Sequence, residues 1–169
     1  MFKSIIGLIA LAAAILFILT PSAMATERPI QLSLVTPIQI FPESDDITGI
    51  RFNLIYGRNT SVTGLDLGLI NHCTGGVSKG FQYGLVSIVD ADFVGWQNSV
   101  VNVTHGDFEG LQWGFMNYAG YASGLQLGFV NYAERMNGLQ IGLVNIIQRG
   151  GQFPVFPIVN WSFEVGKNP

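Results

Sequence analysis

The side chains best suited to proton transfer or metal ligation near neutral pH are the two histidines, His72 and His105. His105 stands two residues before Asp107 in Thr104-His105-Gly106-Asp107, a composition that a turn also favours. No third group of the kind that a catalytic set or a zinc site needs recurs beside either histidine. Asp90 and Asp92 offer oxygens to a hard cation, yet the pair is not repeated elsewhere in a chain that repeats most of its features, which favours a loop. Cys73 is the only cysteine, so no internal disulfide forms. Its expected role is that of a small semi-buried residue at a turn rather than a reactive thiol. Carbohydrate hydrolysis needs paired carboxylates, and no acidic column runs through the chain. No catalytic, cofactor-binding or metal-binding residue is therefore assigned, and the chain is expected not to be an enzyme.

The residues around these groups form a tandem array. The phrase Gly124-Leu-Gln-Leu-Gly-Phe-Val-Asn131 returns as Gly138-Leu-Gln-Ile-Gly-Leu-Val-Asn145. Aligned on the opening glycine, units begin at Gly49, Gly64, Gly80, Gly95, Gly110, Gly124 and Gly138, at steps of 14 to 16 residues. The second column is large and apolar: Ile50, Leu65, Phe81, Trp96, Leu111, Leu125, Leu139. The third opens with Arg51 and Asp66 and continues as Gln82, Gln97, Gln112, Gln126 and Gln140. The fifth is small, with Gly68, Gly84, Gly114, Gly128 and Gly142, and Asn53 and Ser99 in the first and fourth units. The eighth carries Asn71, Asn102, Asn117, Asn131 and Asn145, with Tyr56 in unit one and Ser87 in unit three. Apolar residues at two, four and six alternate with Gln and a small residue, the period-two pattern of a half-buried strand.

This pattern predicts an all-β fold. The expected architecture is a β-solenoid of about seven coils of 14–16 residues; the alternative is a small antiparallel outer-membrane β-barrel. The repeat is single rather than double, the Asn column is fit for a stacked side-chain ladder, and an apolar segment of about five residues spans only ~17 Å, short of the ~25 Å band of a membrane barrel. The aromatics Tyr83, Trp96, Trp113, Tyr118 and Tyr132 speak for the barrel, as an interfacial girdle. In the solenoid reading the apolar columns face the core. The Gln column would then point outward and, with the small fifth column, make a flat Gln/Gly face. Gln82, Gln97, Gln112, Gln126 and Gln140 are the candidate interaction face, and the Asn and Gly columns its structural ladder.

The ends differ from the repeats. Residues 1–25 carry Lys3, the apolar run Ile5–Leu19 and the small-x-small Ala23-Met24-Ala25, the layout of a secretory signal peptide cut after Ala25. Residues 26–48 and 149–169 are expected to cap the repeat domain at 49–148, because Pro37, Pro42, Pro154 and Pro157 suit edge strands. Beyond the signal peptide there are seven basic and eleven acidic residues, a net charge of −4. No basic patch invites nucleic acid or anionic lipid. Three Asn-x-Ser/Thr sequences, at Asn59, Asn102 and Asn160, are read as accidental.

The phrase G-L-Q-x-G-[LF]-[VM]-N at this step, with the ending Pro154-Val-Phe-Pro-Ile-Val-Asn-Trp-Ser-Phe163, resembles the leptospiral-type surface-repeat family of bacteria. The likeness spans Gly49 to Phe163 and extends to the start at Gln31. It implies export to the periplasm, outer membrane or cell surface, and it brings no catalytic residues. Unit four, Gly95-Trp-Gln-Asn-Ser-Val-Val-Asn102, departs from the pattern at Asn98 and Ser99. The expected function is that of an exported, non-catalytic structural or interaction protein of the cell envelope, with an unidentified protein or envelope partner or with copies of itself. The alternatives are a membrane barrel and, less favoured, a carbohydrate-acting enzyme in a solenoid groove.

Overall fold

A computed structural model describes residues 26–163. The signal peptide expected at 1–25 and the tail 164–169 lie outside the described residues. The order is β1 (Glu27–Val35), β2 (Ile38–Gln39), β3 (Asp46–Asn59), β4 (Val62–Cys73), β5 (Val77–Val89), the continuous winding strand β6 (Asp92–Arg149) and β7 (Val155–Ser162). No helix interrupts them among the described residues.

The strands wind as a β-solenoid. The openings of the first four units pair in parallel and in register, Gly49 with Gly64, Gly64 with Gly80, and Gly80 with Gly95. Parallel pairing excludes the up-and-down antiparallel barrel. The solenoid makes about five turns, fewer than the seven coils expected from the phrases. Only the five internal units have a repeat on both sides; the first and last abut the caps.

The opening glycines form a corner at which successive backbones touch. Their φ values lie between 117° and 155°, and a Cβ there would overlap the carbonyl oxygen of the residue one coil back, as at Gly124 against Gly110. Glycine alone takes this conformation without strain.

The caps are β1–β2 and β7. β1 lies parallel to β3, with Ile30, Gln31, Leu32 and Ser33 opposite Ile50, Arg51, Phe52 and Asn53. Pro29 to Val35 is thus a partial extra coil, with Gln in the third column and Ser in the fifth. Alignment on glycine misses it because Pro29 stands where the others have glycine. β2 folds back antiparallel on β1, and β7 closes the other end antiparallel to the last unit, with Gln140 opposite Asn160.

The expected directions of the Gln and apolar columns are reversed. The Gln column is fully buried, with Gln97, Gln112, Gln126 and Gln140 at 0% exposure, and the Asn column is buried with it. Columns two, four and six face outward: Leu69, Leu85, Phe115, Phe129 and Leu143 are each about half exposed. Apolar packing inside is confined to the other half of each coil. Cys73, Val89, Ala119, Ala133 and Ile147 stack there against Val62, Phe93, Phe108, Ala122 and Met136.

The small fifth column now has a cause. A Cβ at Gly84, Gly114, Gly128 or Gly142 would run into an Asn side chain of a neighbouring coil and the backbone behind it. The interior has room for one Asn per coil and nothing beside it. Unit one reaches the same volume by exchange. A bulge after Asn53 sets Gly57, not Tyr56, opposite Asn71, and Asn53 fills the space that a side chain at Gly57 would need. The irregular unit four does so through Ser99, whose hydroxyl meets that of Ser87 at 2.6 Å, two short side chains replacing Asn and Gly.

Ser87→Asn should therefore overpack the interior and destabilise the fold by about 1–3 kcal/mol. Adding Ser99→Gly should recover most of the loss, because the pair then matches the junctions Asn71/Gly84, Asn102/Gly114, Asn117/Gly128 and Asn131/Gly142. Urea unfolding of the two single variants and the double variant measures this coupling.

Candidate functional site

Two ladders of amides run through the interior in opposite senses. In the first, each Gln donates from Nε2 to the Oε1 of the Gln one coil earlier: Gln140 to Gln126 at 2.7 Å, Gln126 to Gln112 at 2.6 Å, Gln112 to Gln97 and Gln97 to Gln82 at 2.8 Å. The second amide proton of Gln112, Gln126 and Gln140 goes to the carbonyl of Tyr118, Tyr132 and Ile146 within the same coil. In the second ladder the donors point the other way. Asn102 donates to Asn117, Asn117 to Asn131 and Asn131 to Asn145, at 2.8–2.9 Å. Each also bonds the carbonyl of the fourth position of the next coil, as Asn117 bonds Leu127.

The Gln ladder ends on a buried ion pair. Gln82 donates to Asp66 at 2.7 Å, and Arg51 grips both oxygens of that carboxylate at 2.7 Å. The carboxylate is an acceptor with no proton to place, which is what the last amide in a donor chain requires. Arg51 is fully buried, and it donates further to the carbonyl of His72 at 3.0 Å. Burial opposes its charge, but the Asp66 carboxylate and the neighbouring Cys73 hold its pKa above the ordinary guanidinium value. Arg51 and Asp66, which open the third column, thus terminate the interior ladder instead of pointing outward as expected of that column.

Three buried side-chain oxygens among the described residues lack a partner: Asn53 Oδ1, Asn102 Oδ1 and Gln140 Oε1. Each marks a ladder end. Asn53 has no Asn before it, Asn102 follows the coil in which Ser87 interrupts the column, and Gln140 has no Gln after it.

Gln82, Gln97, Gln112, Gln126 and Gln140 therefore cannot be an exposed interaction face. The exposed apolar surface is the one expected to be core. Columns two, four, six and seven of the seven units contain no charged residue, and Asn98 is their only amide. Aromatic rings stack along this face, Phe115 on Phe129 at 4.9 Å and Trp96 on Trp113 at 6.4 Å. At the N-terminal end an apolar groove of about 460 Å³ runs between Ile38 and Ile40 on one side and Phe52 and Leu54 on the other. Unit periodicity marks these columns in the sequence, but period two alone does not say which face is inside.

The groups with chemistry lie on the opposite flank. The coil step brings Asp90 between the two histidines, at 2.9 Å from His72 Nε2 and 3.3 Å from His105 Nδ1. Tyr56 Oη meets His72 Nδ1 at 2.9 Å. Sequence spacing misses this carboxylate because it comes from the unit between them. Both Asp90 and His105 are exposed, and the row links four successive coils in the manner of the neighbouring stack, Tyr118 on Tyr132 at 5.2 Å. Burial, with Glu134 alongside, raises the Tyr118 pKa. Asp92 does not join Asp90; it accepts from the backbone N–H of Asp107 at 2.8 Å. No group of three or more metal-ligating side chains with suitable geometry occurs among the described residues.

Cys73 is fully buried rather than semi-buried, and burial pushes its thiol pKa up against the opposing pull of Arg51. Asn59, Asn102 and Asn160 are buried as well, so none presents its amide to a glycan. Comparison of the chain with protein-family models, with curated proteins and with solved structures finds no match.

Asp66→Asn should leave the Arg51 charge buried and unpaired, at a cost of about 3–5 kcal/mol. The double variant Arg51→Met/Asp66→Asn should be markedly more stable than that single variant. Thermal unfolding of the three proteins gives the comparison, and equal losses in single and double variants would contradict the pairing.

Proposed function

We propose that the chain is an exported, non-catalytic structural or interaction repeat protein of the bacterial envelope, and that its outward apolar face is the working surface. The observation that carries this reading is the absence of charge from 28 outward positions in seven successive units. A contiguous apolar area of this extent exceeds the few hundred Å² that soluble monomers usually expose. The charged side chains that are not sequestered with Arg51 and Asp66 lie outside these columns, as with Lys79, Asp92, Glu109, Glu134, Arg135 and Arg149.

Export is supported by the leader layout of residues 1–25 and by the resemblance of the repeat phrase to leptospiral-type surface-repeat proteins. The lone cysteine and the acidic balance are compatible with it. The Gln and Asn columns support the same reading in a different role: they make a rod whose length grows by one coil per repeat, as solenoids do.

N-terminal sequencing of the chain recovered from fractionated bacterial cells tests the proposal. The expected product begins at Thr26 and is found in the periplasmic or envelope fraction. A full-length chain beginning at Met1 in the cytosol would overturn it.

A further inference from the structure

We infer that the apolar face is covered by the same face of a second copy, so that two solenoids pack sheet on sheet as a two-fold dimer. The inference rests on the proposed role of this face and names its occupant.

The area fits. Seven stacked repeat units, each opening glycine against the one before, at ~4.8 Å and six residues at ~3.3 Å give a face of roughly 34 by 20 Å, about 700 Å². β1 adds Ile30, Leu32 and Leu34, each 45% exposed, and brings the total to ~800 Å², which is what each partner of a standard stable interface contributes. The face also runs from cap to cap, since Ile38 and Ile40 continue it beside β1, and Trp161 and Val159 on β7 lie opposite Leu139 and Ile141 of the last unit. A copy of equal length covers it end to end.

The chemistry fits as well. In a two-fold interface a patch must complement itself. A charged face would set like charges together, whereas the 28 outward positions of this one hold none. Parallel coils in register make the face regular, and sheets with apolar faces pack about 10 Å apart with interleaved side chains. The stacked rows Phe115–Phe129 and Trp96–Trp113 present ridges for such packing. A lipid surface is the weaker match. Interfacial proteins border their apolar face with Lys and Arg that meet anionic headgroups, whereas the column preceding the opening glycines holds only one Lys, Lys79, and one Glu, Glu109, and residues 26–169 carry a net charge of −4.

The test is the solution mass of the exported chain, by sedimentation equilibrium at micromolar concentration, beside Leu85→Lys/Phe129→Lys. Both residues are about half exposed in the sixth column, so the variant is expected to keep its strand circular dichroism and cooperative unfolding. The expected result is twice the monomer mass for the natural chain and the monomer mass for the variant. Lys79→Glu, on another face, should leave the dimer intact. A natural chain that stays monomeric and binds phosphatidylcholine vesicles in flotation would overturn the dimer and leave the apolar face as an interaction surface. A natural chain that stays monomeric and ignores vesicles would overturn the dimer too, and a cytosolic location would separately remove the envelope reading. A dimer that persists in the folded Lys variant would place the interface elsewhere.

Discussion

A primary amide buried in a protein must place two protons and a carbonyl oxygen, or lose more than it gains by burial. The β-solenoid meets this requirement by repetition. Successive coils lie about 4.8 Å apart, close enough for the amide of one Gln to reach the carbonyl of the same Gln one coil away. Gln97, Gln112, Gln126 and Gln140 each donate to the previous Gln at 2.6–2.8 Å, and three of them place the second proton on a carbonyl of their own coil. The ladder has a direction, so it needs an end that accepts without donating. Asp66 supplies that end, and Arg51 neutralises it. The Asn ladder runs in the opposite sense, and the two arrays of amide dipoles oppose each other across a narrow interior.

That interior explains the placement of the remaining residues. A cross-section filled by one Gln and one Asn leaves no room at the fifth column, hence the glycines there. The glycine that opens each unit lets the backbone turn where it touches the coil before it. With the polar columns inside, the alternation of the strand sends Leu, Phe and Trp outward. The apolar interior is reduced to Ala, Val and Cys side chains with Ile47, Phe93, Phe108, Met136 and Ile147 on the far half of the coil. An outward apolar face is thus a consequence of the amide core, and it calls for a covering surface.

The repeat, the strand character and the solenoid were legible because they depend on the spacing and alternation of residue types. The inside and outside of the strand were not. Period two is symmetric, and the usual preference for apolar burial picks the wrong face here. The corrective signal was present in the variation between units. The fourth column runs Phe52, Leu67, Tyr83, Asn98, Trp113, Leu127, Ile141, a range of sizes that a close-packed interior with a fixed coil step does not accept. The third and eighth columns hold nearly constant amides, as an interior ladder demands. Ser87 and Ser99 read as irregularities along the chain but as partners across it. The contact of Asp90 with His72 and His105 needed the true coil register, and Pro29 hid a partial coil because its column was defined by glycine.

The central claim, amides inside and hydrocarbon outside, is tested most directly by hydrogen exchange of the side-chain NH₂ groups of Gln112, Gln126, Asn117 and Asn131, resolved by NMR of the folded chain. The account predicts that these protons are protected to nearly the same degree as the backbone amides of the same coils, because both are released only when the solenoid opens. Exchange at the rate of free glutamine and asparagine side chains would place the amides in solvent and the leucine columns in the core, and would contradict it.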